Sequence, residues 1–363
     1  MPYEIDFLPV GEGRSGDAIA IRYAVNDGYE VMVVDGGTEQ AGNDLVQHIR
    51  KYYGTNHVHH VISTHPDNDH ASGLRPVLES LIVDTLWVHV PWAHAELTHR
   101  MFQNEWTTDR LKVAIRHGYP IIDELVTHAL ENGTRVAYPF QGEHIGPFLV
   151  AAPTLTRYNK LLPQFRDTPA PNEPLLRMLG EWMTGLGKRA AKAIRKVVLE
   201  KRDLETLRDG GITSAENESS VVLYGDFPND PKSVLLTADA GLQALREAID
   251  YLVSLNIDLN RLGLIQVPHH GSRNNISPAI LNRLIGPPIA EGQTRGISAI
   301  ASASLDDEDH PRQIVANAFD RRGVTVYPTH GQAIRHHRNM PPRAGWERPV
   351  TPMPFAPRVE EYD

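Results

Sequence analysis

The sequence predicts an α+β fold, and three observations indicate it. Strands with alternating apolar and polar residues open the chain, apolar strands then alternate with helical patterns, and polar residues follow the ends of several apolar strands. The chain has 363 residues, of which 41% are hydrophobic, so it can form one large domain or two smaller ones.

The first half of the fold is predicted to span residues 1–153. Strands at 4–10, 18–23 and 31–34 form a meander, and the glycine-rich loop at 11–17 lacks the lysine and the spacing of a nucleotide-binding P-loop. Further along, the pattern predicts helices at 45–53 and 74–81, strands at 58–62 and 85–90, a mostly helical segment at 93–132, and short strands at 135–138 and 148–152.

Residues 154–215 differ in composition and are predicted to be a helical, partly basic insertion. One or two helices are expected over 175–207. Their basic side carries Lys188, Arg189, Lys192, Arg195, Lys196, Lys201 and Arg202. Either a solvated helix face or a surface that steers a polyanion would explain these residues.

The second half of the fold is predicted to span residues 216–340, and a proline-rich tail at 341–363 is expected to be loosely ordered. The pattern predicts strands at 220–224, 233–237, 264–267, 297–302 and 324–327, and helices at 242–255 and 310–321.

One short motif, HPDNDH at residues 65–70, concentrates two imidazoles and two carboxylates between an apolar strand and a helical pattern. These side chains suit zinc and its first-row neighbours. The alternative is a polar loop in which Asp67 or Asp69 caps the helix. Four metal-competent residues in six positions favour a metal site.

Polar residues recur at the ends of apolar strands: Asp35, His65, Asp239, His269 and His330. Strand ends on one edge of a sheet lie close together, so these groups can converge. Of the adjacent pair His269 and His270, we expect one to bind metal and the other to contact substrate or a ligand.

Composition excludes some classes of protein. The formal net charge of −9 is unlike that of a generic DNA-binding protein, and the lack of cysteine excludes disulfides and thiolate zinc sites. Residues 1–10 do not resemble a signal peptide, and no apolar run approaches the length of a membrane span. The expected location is cytoplasmic, with no membrane partner.

These motifs resemble the metallo-β-lactamase fold superfamily and, more narrowly, the hydrolase domain of ComEC-type DNA-uptake proteins. The resemblance rests on residues 64–70, the glycine-aspartate loop at 10–18, the asparagine-serine strand at 217–223, the aspartate strand at 235–239 and the double-histidine motif at 267–272. It implies a four-layer αββα sandwich, here with a helical insertion, and metals at one edge.

By position, the resemblance implies two divalent metal ions, with zinc expected first and manganese or magnesium as alternatives. The implied ligands are His65 and Asp67 for the first ion, Asp69, His70 and His269 for the second, and Asp239 as the bridge. The third histidine expected at the first ion is absent, and Asn217 or Ser219 stands in that neighbourhood. An oxygen-richer first site would favour manganese or magnesium.

The predicted catalytic residues are Asp69, His270 and His330. His270, His330 or Ser272 could donate to the leaving group or the developing oxyanion, or could instead orient a ligand. His330 stands where the resemblance would place an aspartate.

The implied function is that of a hydrolase that attacks with a metal-bound hydroxide. A phosphodiesterase, acting as a nuclease on DNA or RNA, is expected first. A hydrolase of a small ester, lactone or lactam is the alternative, favoured by the acidic charge and by the lack of an aromatic and basic stacking strip. A non-catalytic metal- or partner-binding module is the third, because the third histidine is missing.

Overall fold

The computed structural model describes residues 1–11, 15–26, 28–178, 197–346 and 349–362. Two seven-stranded sheets dominate this part of the chain. In spatial order, the first sheet holds Ile334–Arg338, Tyr3–Phe7, Ala18–Val25, Gly28–Gly36, His57–Ser63, Ile82–Val88 and Arg135–Ala137 (β15, β1, β2, β3, β4, β5 and β6). The second holds Thr325–Pro328, Ser298–Ala301, Leu262–Gln266, Ser233–Leu236, Val222–Asp226, Phe148–Ala152 and His144–Ile145 (β14, β13, β12, β11, β10, β8 and β7).

Helices cover the outer face of each sheet. The helices on the first sheet are Glu39–His48, Leu74–Ser80, Thr108–Gly118 and Pro120–Glu131 (α1, α3, α5 and α6), and those on the second are Leu242–Ser254, Pro278–Ile285 and Gln313–Arg321 (α9, α10 and α11). The shorter helices are Asn68–Ala71, Ala95–Thr98, Leu155–Leu161 and Glu173–Met178 (α2, α4, α7 and α8). Within the described ranges, no helix combines the length and the apolar character needed to cross a membrane.

Alternation along β2 shows how the sequence divides the core between layers. Ile19 and Ile21 pack into the apolar layer between the two sheets, whereas Ala18 and Ala20 face the helices outside the first sheet. Because successive side chains of a strand point to opposite faces, one strand serves both layers. Helix, sheet, sheet and helix therefore stack in that order, and the predicted α+β fold of the αββα type is confirmed.

Parallel strands bring the polar strand ends together. The strands from β3 to β6 run parallel in the first sheet, as do those from β11 to β14 in the second. Their carboxyl ends carry Asp35, His65, Asp239, His269 and His330. The N–H of Val221 donates to the carbonyl oxygen of Thr64 at 3.1 Å and so joins the two halves of the chain at this edge.

Of the described residues within the predicted helical segment 175–207, residues 175–178 are helical as predicted, whereas the prediction is wrong at 197–207. Helix α8 covers Glu173–Met178 among the described residues, and Val197–Leu199 forms a strand (β9). Five of the basic residues, Lys188, Arg189, Lys192, Arg195 and Lys196, lie outside the described residues. Of the others, Arg202 pairs with Asp320 at 2.8 Å and with Glu291 at 3.2 Å, so its charge is already compensated.

The expectation of a loosely ordered tail is also wrong. Arg358–Glu360 forms a strand (β16) that pairs antiparallel with β9, and Val359 is buried. Closer to the sheet, the ring of Trp346 packs edge-on against that of Tyr52 at 5.5 Å. The proline-rich tail is therefore attached to the rest of the fold through Trp346 and Val359.

Arg343 connects the tail to two buried carboxylates of β1. Its guanidinium lies 3.0 Å from Glu4 and 2.8 Å from Asp6, both of which are fully buried. Although burial opposes the charged form of Asp6, hydrogen bonds from His48 and Arg343 hold the pKa of Asp6 below its usual range. Buried charges persist in proteins when they are paired in this way.

Replacing Arg343 with alanine should lower the free energy of unfolding by about 2–4 kcal/mol, because removing one partner leaves buried carboxylate charge less compensated. Chemical denaturation would measure the change. The matched control is Arg358→Ala, which removes an exposed arginine of the same tail and should change stability by less than about 0.5 kcal/mol. Equal effects of the two substitutions would show that the contacts with Glu4 and Asp6 contribute nothing.

Candidate metal centre

The candidate site is centred on the carboxylate of Asp239, which follows β11 and is 2% exposed. The Nε2 atoms of His70 and His270 lie 3.4 and 3.6 Å from its Oδ1. The Nε2 atoms of His65 and His269 lie 3.7 and 3.4 Å from its Oδ2. One carboxylate therefore stands between two pairs of imidazoles, with one pair at each oxygen.

The atoms around Asp239 fit divalent ions. The Nε2 atoms of His65, His70 and His270 and the Oδ1 of Asp239 are buried without a hydrogen-bond partner. Such atoms are rare in folded proteins because each leaves a desolvation cost uncompensated. Gaps of 3.4–3.7 Å are long for hydrogen bonds. Two ligand atoms at about 2.1 Å from one tetrahedral ion, however, lie about 3.4 Å apart.

Asp35, at the end of β3, orients two of these histidines. Its Oδ2 accepts hydrogen bonds from Nδ1 of His70 at 2.8 Å and from the hydroxyl of Thr64 at 2.6 Å. Because that hydroxyl proton points at Asp35, the Thr64 oxygen accepts from Nδ1 of His65 at 3.0 Å. This pattern assigns a proton to Nδ1 of both rings and turns both Nε2 atoms toward Asp239.

The double-histidine turn places two adjacent rings at opposite oxygens of Asp239. His269 and His270 have φ values of 46° and 55°, a left-handed conformation that non-glycine residues seldom adopt. Nδ1 of His269 donates to Asn275 at 2.9 Å, and the amide of Asn275 donates to the Asp239 carbonyl oxygen at 2.8 Å. The adjacent histidines can therefore face two different ions, which the sequence reasoning did not consider.

Burial and neighbouring charges set the protonation states. Burial, reinforced by His70, lowers the pKa of His65, and burial lowers the pKa of His270 to about 3, so both rings are neutral. Burial opposes the charge on Asp239, but His269, His70 and His270 hold its pKa well below the usual range. Burial likewise disfavours charged His70, yet Asp239 and Asp35 raise its pKa well above the usual value. A metal ion bound at Nε2 of His70 would displace that proton.

Asp67, a predicted ligand of the first ion, contacts a guanidinium. Its carboxylate pairs with Arg166, which also reaches Glu216 at 3.3 Å. Asp67 precedes helix α2 in the N-cap position, but its side chain makes no capping hydrogen bond. The capping interpretation of Asp67 is therefore wrong, and its role as a metal ligand stays a prediction.

Asp69 lines a cavity and also lies near enough to His270 for its charge to raise the pKa of that ring. It is partly exposed, and it lines a polar cavity of about 680 Å³ together with Asp67, Tyr119 and Arg166. A cavity of this size is typical of small-molecule sites. The predicted roles of Asp69 in metal binding and catalysis stay predictions.

His330 is placed differently from the four imidazoles. Its backbone N–H donates to the carbonyl oxygen of Ala303 at 2.9 Å. Burial lowers the pKa of its ring, although the charge of Asp307 acts in the opposite direction. Among the described residues, no ion pair within 4 Å joins His330 to Asp239. The ring of His310 instead stacks on that of His269 at 5.7 Å and lies 3.1 Å from Asp307.

Asp17 lies at the metal centre although the sequence did not predict it as a site residue. This residue is 1% exposed and stands beside His70, Asp239 and His270, and burial raises its pKa to about 7. The glycine-aspartate pair directly before a strand was the available signal. Asn217, noted as a departure, lies 3.2 Å from Nδ1 of His269 and 3.5 Å from Asp239, and so contacts the site through its amide.

A second group of possible ligands, His57, His59 and Asp84, lies at partly exposed or exposed positions of β4 and β5. Nδ1 of His59 accepts the N–H of Val31 at 3.1 Å, so the proton of the neutral ring resides on Nε2. That neutral ring therefore offers no lone pair to an ion.

Comparison with known proteins identifies a family for the first part of the chain. The family model described as the metallo-beta-lactamase superfamily matches residues 12–153. This confirms the resemblance at the level of the superfamily, whereas the narrower resemblance to ComEC-type domains stays a prediction. No curated protein matches the chain.

Three similar solved structures are metallo-beta-lactamases. For SMB-1 bound to 2-mercaptoethanesulfonate, identity is 13%, coverage is 74% of this chain and 82% of that chain, and the TM-score is 0.31. For the protein from Hirschia baltica the corresponding values are 11%, 69%, 85% and 0.27. For MEM-A1, a subclass B3 protein from a soil metagenome library, they are 12%, 77%, 90% and 0.32. Such low scores support no argument from shape, so the family relationship rests on residues 12–153.

Replacing Asp35 with asparagine should weaken divalent-metal binding about 10- to 100-fold, as loss of a group that orients a metal ligand typically does. An amide N–H₂ facing Nδ1 of His70 would favour the tautomer with its proton on Nε2. Titration of chelator-treated protein with Zn²⁺ would measure affinity. The matched control is Asp84→Asn, since Asp84 bonds His57 at 2.7 Å on the surface. Unchanged affinity in Asp35→Asn would contradict the orienting role.

Proposed function

Since residues 12–153 match the metallo-β-lactamase superfamily, a class of metal-dependent hydrolases, we propose that this protein is a dinuclear metallo-hydrolase that cleaves phosphodiesters, in DNA or RNA. The observation that carries the proposal is the arrangement of two imidazoles at each oxygen of Asp239. It offers two adjacent sets of ligand atoms that share one carboxylate.

The ligand sets follow from the distances. His65 and His269 with Oδ2 of Asp239 would hold one ion, and His70 and His270 with Oδ1 would hold the other. Imidazole-rich sites suit zinc, and manganese is the second choice where carboxylates join. When bound, such ions lower the pKa of water and neutralise charge on substrate oxygens.

The chain's own residues prepare this chemistry. Asp35 keeps two rings in the tautomer that turns Nε2 toward Asp239, and Asn275 does the same for His269. The cavity at residues 66–69 opens beside the histidine motif, so substrate can approach the centre. On its wall Arg166 exposes 59% of its side chain and could bind an anionic oxygen.

The choice of phosphodiester rests on charge and on motifs. Two divalent ions and Arg166 complement an anionic ester, and the glycine-aspartate, asparagine-serine and double-histidine segments resemble ComEC-type domains. A small ester, lactone or lactam is the second candidate. The acidic residues Asp67, Asp69 and Asp167 on the cavity wall favour a substrate without negative charge.

Purified protein loaded with Zn²⁺ or Mn²⁺ should hydrolyse bis(p-nitrophenyl) phosphate, and chelator should abolish the activity. Asp239→Asn should lower kcat/KM at least about 100-fold, because it removes a ligand common to both imidazole pairs. The control is Asp250→Asn, an exposed aspartate that pairs with Arg283 on the surface.

Single-stranded DNA and RNA, p-nitrophenyl acetate and a chromogenic lactam would be assayed in parallel. Turnover confined to the ester or lactam would replace the phosphodiesterase by the second candidate. Bound metal without turnover of any of these substrates would contradict a hydrolase and favour a metal-binding module. Unaltered activity of Asp239→Asn would contradict the site itself.

A further inference from the structure

Arg166 lies between two carboxylates at the edge of the candidate metal centre. Its guanidinium contacts Oδ1 of Asp67, and its Nε donates to Oε1 of Glu216 at 3.3 Å. The backbone N–H of Arg166 donates to the same oxygen of Glu216 at 2.6 Å. Glu216 is 1% exposed, so this buried carboxylate holds both the backbone and the side chain of Arg166.

The loop that carries Arg166 is fixed by contacts with Tyr119. The ring of Phe165 is buried and packs edge-on against the ring of Tyr119, with 6.0 Å between the ring centres. The hydroxyl of Tyr119 donates to Glu216 at 3.3 Å and accepts the backbone N–H of Asp167 at 3.4 Å. Arg166 is therefore presented to Asp67 from a loop that is held on both sides of it in sequence.

Asp67 is close to the ligands of one of the two ions. It follows His65 by two residues in the histidine motif. Burial lowers the pKa of His65, and Asp67 is one of the carboxylates whose charge acts in the opposite direction. The side chain of Asp67 makes no hydrogen bond that caps helix α2. Asp67 is therefore near His65 while Arg166 holds one of its two oxygens.

Metal ligands need partners that fix their orientation, and carboxylates that bind an ion through one oxygen are commonly hydrogen-bonded through the other. In this centre, Asp35 orients His70 through a hydrogen bond of 2.8 Å. The guanidinium of Arg166 stands in the same relation to Asp67. Its planar N–H groups have fixed directions, so a guanidinium can contact two carboxylates in one defined geometry.

We propose that Arg166, held by Glu216, is a positioning residue for metal binding. Because it contacts Oδ1 of Asp67, it turns Oδ2 of that carboxylate toward one ion. This is the ion that His65 and His269 would hold. The inference rests on the metal centre of the proposed function but is independent of its substrate.

The test measures metal binding without substrate. Chelator-treated wild type and Arg166→Ala would be titrated with Zn²⁺ by calorimetry, and bound metal would be counted by elemental analysis. Wild type should bind two equivalents. Arg166→Ala should bind one of them at least about 10-fold more weakly, as loss of a group that orients a metal ligand typically does. Arg166→Lys should bind that equivalent with intermediate affinity, because lysine keeps the charge but not the forked geometry.

The matched control is Arg116→Ala. Arg116 is an exposed arginine of α5 that pairs with Asp123 at 2.6 Å beside the neighbouring cavity. Its removal should leave the affinity for both equivalents unchanged. A merely structural role of Arg166 would weaken both equivalents alike, so the selective loss of one equivalent is the readout that identifies a positioning role.

Unchanged affinity of Arg166→Ala for both equivalents would overturn the inference. Equal weakening of both equivalents would overturn it as well, since the effect would then be structural. If wild type binds no zinc, the proposed function fails too. Two equivalents bound with the same affinities by wild type and Arg166→Ala would remove the inference alone and leave the metal centre in place.

A measurement on wild type keeps the test decisive if Arg166→Ala folds poorly because Glu216 loses its partner. Anomalous diffraction from wild-type crystals soaked in Mn²⁺ would locate the ions. The expected result is Oδ2 of Asp67 at about 2.0–2.3 Å from the ion at His65, with Oδ1 still in contact with Arg166. An Asp67 that binds the ion but has left Arg166, or an ion at His65 without Asp67, would overturn the inference.

Discussion

The burial of one carboxylate, that of Asp239, is the constraint on which the candidate centre depends. Asp239 arrives on β11 of the second sheet, whereas His65 and His70 follow β4 of the first. The centre therefore exists only where the two sheets meet. Metal sites tolerate errors of a few tenths of an ångström in ligand position. The apolar layer between the sheets, with Ile19, Ile21 and its other members, thus sets the relative positions of these ligands.

A second set of polar residues determines what the ligands can do. An imidazole binds an ion only through a nitrogen that carries no proton, and that choice lies with the partner of the other nitrogen. Asp35 determines which nitrogen of His70 carries the proton and, through the Thr64 hydroxyl, does the same for His65. Asn275 determines the protonated nitrogen of His269. Asp35, Thr64 and Asn275 come from different segments of the chain, so the chemistry at Asp239 depends on several parts of the fold at once.

The sequence predicted much of this arrangement, for physical reasons. Alternation and apolar runs located the strands, and the position of polar residues after them located His65, His70, Asp239 and His269. The sequence could not show that His269 and His270 face different oxygens of Asp239, because this depends on the left-handed conformation of both residues in one turn. Nor could it show that Arg166 pairs with Asp67 across 99 residues, since such a contact leaves no local pattern. Helical periodicity similarly failed at β9, whose partner β16 lies near the end of the chain.

The attachment of the tail to β1 affects the order in which the protein can fold. Strand β1 pairs with β15, and its buried carboxylates Glu4 and Asp6 are met by Arg335 and Arg343. Because Tyr3 pairs with Arg338 and Phe7 with Ile334, that edge of the sheet is paired only when segments far apart in sequence meet. Contacts of such long sequence separation close late and slow folding. Residues 1–153 therefore cannot form the whole first sheet without β15. The two halves of this chain fold together.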